Sequence, residues 1–309
     1  MAWADGTELI GTASTTQRLV LVECPLPWPS ETNSIPALTV GALPATTRLL
    51  AIVPGTRAGP LVPRITVWQR AANGFEGQEM TIDCPGGCDP ASHVAAVARG
   101  ESHAHVRTVG PAGPQVLICT HGRRDRCCGR LGTRLNLDVA GRWADVEVRR
   151  CSHLGGHRFA PTAITLPDGR CWGRLDADTL VAIVERSADP ALITRCLRGF
   201  IGLDPWAQVV DRLLTERFGW AWLEQSVTFA TSVAHGGTSA SVDVSWATNP
   251  SGFATGLVDL VGQEPSRDCA TGVPTGKVTP RLGLRSLEIG PVRNAVPSKE
   301  VLHGAPDPS

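Results

Sequence analysis

Apolar and polar positions along the chain follow two periods. Continuous apolar, β-branched runs at RLVLVEC (18–24), RLLAIVP (48–54) and RITVWQ (64–69) predict strands. PASHVAAVARG (90–100) places apolar residues at helical spacing, and GPAGP (110–114) reads as a linker. Strands then return at QVLIC (115–119), DVEVRR (145–150) and TAITLP (162–167). The last is joined through an Asp-Gly turn to RCWGRL (170–175). DADTLVAIVERS (176–187) opens on an aspartate suited to capping and continues as a helix. Beyond Cys196, DPWAQVVDRLLTERFG (204–219) is an amphipathic helix with Pro205 in its first turn. SVTFATSV, SVDVSWA and GLVDLVG alternate as antiparallel strands do.

Two stretches of this pattern match each other. LVLVECPLP resembles QVLICTHGR, with Cys24 falling where Cys119 falls, and similar spacings separate the strands that follow. Strand, loop-helix, strand, strand pair, helix is the order of a thioredoxin-like unit. The expected fold is therefore α/β, with two tandem thioredoxin-like units, the second carrying the functional cluster. A smaller α+β C-terminal region follows. The bounds are 1–110, 113–200 and 204–290, with a flexible tail over 291–309. Two unrelated α/β pieces of similar length are the alternative.

Composition changes this picture little. The chain has 309 residues, 42% of them hydrophobic, and a formal net charge of zero, so no bulk charge favours nucleic acid or an anionic membrane. No secretory leader or apolar run of membrane-spanning length is present, which predicts a cytoplasmic protein. In that compartment the ten cysteines are not a disulfide framework.

Candidate chemistry gathers in two loops. CTHGRRDRCCG runs from Cys119, at the end of an apolar strand, to Cys127 and Cys128, where a helix should begin. CSHLGGHRFA places His153 and His157 four residues apart. Gly155 and Gly156 between them disfavour a helix and suggest a loop shaped around an object. Two thiols and two imidazoles make a complete ligand set for zinc or for an iron–sulfur cluster. His121 is expected to support the site or lie at the surface rather than ligate, Cys151 to pack at a strand end, and Trp172 and Trp206 to lie in the core. CPGGC, Cys84 to Cys88, reads as a surface turn, with a second metal site as its alternative.

CTHGRRDRCCG, CSHLGGHRFAP and LPDGRCWGRL together resemble the sucrase/ferredoxin-like family, as do RLVLVECPLPWP and RGFIGLDPWAQVVD, over roughly residues 11–220. The resemblance implies a thioredoxin-like ferredoxin domain whose [2Fe–2S] cluster has two cysteine and two histidine ligands. The matching positions are Cys119, Cys128, His153 and His157, with Cys127 beside Cys128 as a departure from the pattern. Arg124 would stabilise an added electron, Asp125 would orient a ligand or the arginine, and the glycines would aim backbone N–H groups at sulfides. No carboxylate pair supports the glycosidase chemistry in the family's name. The expected role is electron transfer or redox sensing with an unidentified partner protein. A zinc-binding module on the same four residues is one alternative. A thiol–disulfide oxidoreductase working through Cys127 and Cys128 is the other.

Overall fold

The computed structural model describes residues 8–55, 64–83, 89–247, 251–268 and 271–291. The apolar runs form strands β1 (Arg18–Glu23), β2 (Thr47–Ile52) and β3 (Arg64–Ala71), and β3 turns back into β4 (Gly74–Ile82). Helix α1 (Pro90–Arg99) is capped by the Asp89 side chain and ends on Gly100 in the left-handed conformation. After β5 (Val106–Pro111) come β6 (Gln115–Cys119), α2 (Thr133–Val139), β7 (Glu147–Cys151), β8 (Ala163–Leu166) and β9 (Arg170–Trp172). Helices α3 (Ala177–Val184) and α4 (Pro190–Ile193) lead to β10 (Leu197–Phe200) and the long helix α5 (Pro205–Phe218). The chain closes with β11 (Val227–Val233), β12 (Ser239–Trp246), β13 (Gly252–Arg267) and β14 (Pro274–Pro291).

Ten strands form one mixed sheet in the order β10-β9-β8-β6-β7-β2-β1-β3-β4-β5. The order β7-β6-β8-β9 in one half repeats β2-β1-β3-β4 in the other, and in each half the first strand is parallel to its second and antiparallel to its third. The halves join edge to edge where Ile52 faces Cys151. Hydrogen bonds correct the expected repeat by one residue. The Cys24 N–H donates to Ile52 and the Thr120 N–H to Cys151, so Cys24 holds the place of Thr120, and Glu23 that of Cys119. Both halves carry the apolar run, so composition alone allowed either register.

The middles of β1 and β6 are apolar on both faces because both faces are buried. Val20 and Val22 pack under α1 with Val94, Val97 and Ala98. Val116 and Ile118 pack under α2 and α3 with Leu135, Val139 and Leu180. The alternate residues, Leu19, Leu21, Leu117 and Cys119, face the other side, in the core that includes Val210 and Leu214 of α5. Val242, Val244 and Val258 carry that core into a second, antiparallel sheet of order β11-β12-β13-β14. The segment read as a linker is paired into the sheet as far as Pro111, on an edge strand where a proline is tolerated. Cys84, Cys88, Cys269 and the tail beyond Pro291 lie outside the described residues. Among the described residues no helix is long and apolar enough to cross a membrane.

Candidate metal centre

Cys119 is the last residue of β6, and its strand neighbours Leu117 and Cys151 are buried with it. The chain then turns through His121–Asp125 and enters a helix whose early part, Cys128–Gly132, is wound as a π-helix before α2. Such wide turns are often found at functional sites. Gly132 is required here, because a Cβ at that position would meet the Cys119 carbonyl oxygen at 1.9 Å. The helix start therefore crosses directly over the strand end, bringing the Cys128 thiol down beside Cys119.

The second loop leaves β7 at Cys151. Ser152 Oγ accepts the Ala51 N–H, and Arg48 Nη2 donates to the His153 carbonyl at 2.8 Å, so the first half of the sheet holds this loop in place. One ligand atom each from Cys119, Cys128 and His153 lie within 4.8 Å of one another, which makes these three a possible metal-holding group. His157 lies beside Cys127 instead. The Cys127 Sγ is 3.2 Å from the His157 carbonyl oxygen and 3.8 Å from its Nδ1. Asp125 sits between the two imidazoles, 2.8 Å from His153 Nδ1 and 4.0 Å from His157 Nδ1.

The electrostatics follow from this crowding. The hydrogen bond with Cys128 holds the Cys119 thiol well below the usual thiol range despite burial, with help from His153 and the backbone around His121 and Leu154. The contacts with Cys119 and Cys127, together with burial, push Cys128 up. Of the pair, Cys119 is the thiol whose charged form the site favours. Burial works against a charged His153, but Asp125 and Cys119 outweigh it and raise its pKa. Contact with Cys127 raises that of His157 against burial, with Asp125 assisting. Burial would raise Asp125, yet His153, His157 and Arg124 bring it below the ordinary carboxylate value.

These residues fit a metal or cluster. His153 Nδ1 and Asp125 Oδ2 are buried and pair at 2.8 Å, so the carboxylate holds the imidazole in place beside the two thiols. The thiolate and imidazole donors suit zinc and iron–sulfur chemistry.

Neighbouring residues brace the two loops. Arg124 turns to Glu31 at 2.6 Å, although it still lines the cleft beside the histidines. His121 is buried, with Nε2 2.7 Å from the Pro29 carbonyl and its ring edge-on to Trp28 at 5.7 Å, so it ties the loop to the first half. Gly155 and Gly156 have φ of +80° and +66°, but what presses on Gly156 is Arg198, 2.6 Å from a would-be Cβ. Arg198, on β10, is 2% exposed and donates to the Gly155 carbonyl, to both oxygens of Thr12 and to Cys171 Sγ. It is a supporting residue that sequence reading missed; its signal was a cation inside the apolar string CLRGFIG. Cys151 and Trp172 are buried, and Trp206 is half-buried against the core.

A cleft of about 360 Å³ lies over the histidines, between Asp125, Arg158 and the tip of the β13–β14 hairpin, which contributes Ser266, Lys277 and Thr279. Arg158 Nη1 donates to Thr279 Oγ1 at 3.1 Å across it.

With this geometry in place, the sequence model of the sucrase/ferredoxin-like family matches residues 9–199. The chain belongs to that family. The match includes both metal-site loops and Arg198, and ends within β10. No curated protein and no solved structure matches the chain.

Proposed function

We propose that Cys119 and Cys128 bind one iron, and His153 and His157 the other, of a [2Fe–2S] cluster through which the protein transfers electrons. The observation that carries this reading is the convergence of Cys119, Cys128 and His153 within 4.8 Å, with a second imidazole one loop turn further on against the same carboxylate. Such a cluster supplies reversible one-electron chemistry. The chain's own residues hold and tune it. Arg48 fixes the His153 backbone, Asp125 lies against both imidazoles at Nδ1, and the packed helix start keeps water from the thiols. Two neutral imidazoles in place of two thiolates make the site less negative, which favours a higher potential than four cysteines give. An external electron donor or acceptor reaches the histidines through the cleft under the hairpin tip.

We infer also that each half of the large sheet is a thioredoxin-like unit, the second bearing the cluster, in a cytoplasmic protein. The repeated strand order and the helix between β6 and β7 support this. Protein purified without oxygen should be coloured and contain about two irons and two sulfides per chain.

Zinc is the second reading. Donors within 4.8 Å from two cysteines and one histidine also suit a single tetrahedral ion. A colourless protein with stoichiometric zinc would replace the cluster by this alternative. The dithiol reading has less support, because Cys127 and Cys128 touch each other but each has a further partner, the His157 carbonyl and Cys119.

A further inference from the structure

Three histidines gather on the far half of the sheet, away from the cysteine loops. His93 lies on α1; His103 and His105 lie on the turn entering β5. Their ring centroids are 4.3 Å apart for His93–His103, 5.6 Å for His93–His105 and 5.9 Å for His103–His105. The turn is held by the Val106 N–H to the His103 carbonyl, 3.0 Å, and by the Asp83 N–H to the His105 carbonyl, 2.8 Å.

His93 is the fixed member. It is 3% exposed, and its Nδ1 lies 2.8 Å from the Asp89 carbonyl oxygen. Ser92 Oγ lies 3.1 Å from the same nitrogen; the carbonyl only accepts, so Nδ1 is the nitrogen that donates and Nε2 is the one left to bind. That Nε2 is buried and has no hydrogen-bond partner. A ring whose Nδ1–H is tied to a backbone carbonyl and whose Nε2 is bare has the tautomer and orientation of a metal ligand. Aromatic packing accounts for the proximity of the rings but leaves the bare Nε2 unexplained.

We propose that His93, His103 and His105 form a second metal site, for a divalent ion of the zinc, nickel and copper(II) class. Imidazole suits these ions. Three such ligands leave a fourth position for water. Among the described residues only Cys119, Cys128 and His153 already have their donors within 4.8 Å of one another. At the histidine site the ion would turn the half-buried His103 and the exposed His105 onto the fixed Nε2 of His93. It would thereby tie α1 to the sheet edge.

Cobalt(II) tests this, because a thiolate site adds an intense sulfur-to-cobalt charge-transfer band that an imidazole site lacks. The full-length protein, with the metal it was purified with, is titrated with Co²⁺. About one further equivalent should bind, with ligand-field absorption and no thiolate band. His103→Ala with His105→Ala should weaken that binding more than about 10-fold, and His93→Ala likewise, whereas Cys119→Ser should leave it in place. The double variant changes one half-buried and one exposed side chain on a turn and leaves the buried His93 in place, so it decides the matter even if His93→Ala does not fold. No saturable uptake, uptake that survives the double variant, or uptake that carries a thiolate band and disappears in Cys119→Ser would overturn the proposal.

Discussion

Cys127 and Cys128 share a peptide bond and touch each other, but their further partners differ. Successive residues on a helical turn point about 100° apart, which sends Cys128 to Cys119 and Cys127 to His157. Cys128→Ser should therefore abolish cluster or metal binding, while Cys127→Ser should leave most of it. The reverse result, read from iron content or visible absorption, would shift the ligand by one residue. Both histidines have pKa values above the ordinary imidazole value, so protons compete with a metal at higher pH than they would for an isolated imidazole. Metal retention should weaken as pH falls through those raised values, and a chelator titration between pH 5 and pH 8 measures it. If a cluster assembles, reduction should draw a proton to an imidazole nitrogen that reaches the cleft. The potential would then fall by about 59 mV per pH unit between the oxidised and reduced pKa values. His157→Cys replaces a neutral ligand by an anionic one and should lower the potential and flatten its slope. A slope already flat in the unaltered protein would remove proton coupling from its function.

At the scale of elements, two close approaches build the site. The π-wound helix start crosses β6 at Gly132, and the His153–His157 loop wraps over the guanidinium of Arg198 at Gly156. Gly156→Ala adds a left-handed backbone penalty of about 1–2 kcal/mol to a clash with a buried cation. A loss of about 2–3 kcal/mol in urea unfolding is expected; an unchanged midpoint would mean that the loop can shift away from Arg198. Strands β4 and β5 were not read from the sequence, although β4 pairs with β3 and β5 with β4. GFEGQEMTI carries two glycines and two glutamates, and much of its side-chain surface is partly exposed, so it lacks the apolar run that marks β1 and β6. The alternating pattern of β11, β12 and β13, with one face packed on α5, was legible for the opposite reason.

Across the whole molecule, the site depends on the seam between the halves. Arg48 of β2 reaches the His153 carbonyl, and burial lowers its pKa although Cys171, Cys151 and Cys119 nearby favour its charge. Arg48→Gln should keep the fold, as read by circular dichroism, yet speed the loss of metal to a chelator several-fold. Retention equal to that of the unaltered protein would show that the second half holds the loop alone. A quantity legible from local pattern is one that neighbouring residues decide. Strand and helix periods, the capping Asp176, the loop character of CSHLGGHRFA and the donor types at Cys119, Cys128, His153 and His157 are all of this kind. By itself the sequence therefore determined a mixed α/β chain of the sucrase/ferredoxin-like family with a two-loop donor set. Tertiary structure alone decided that Cys24 aligns with Thr120, that Cys127 goes to His157, that Arg48 and Arg198 brace the histidine loop, and that a distant hairpin roofs it. Those contacts join residues 30 to 121 positions apart. Their partners are set by how the sheets and helices pack, which no local period encodes.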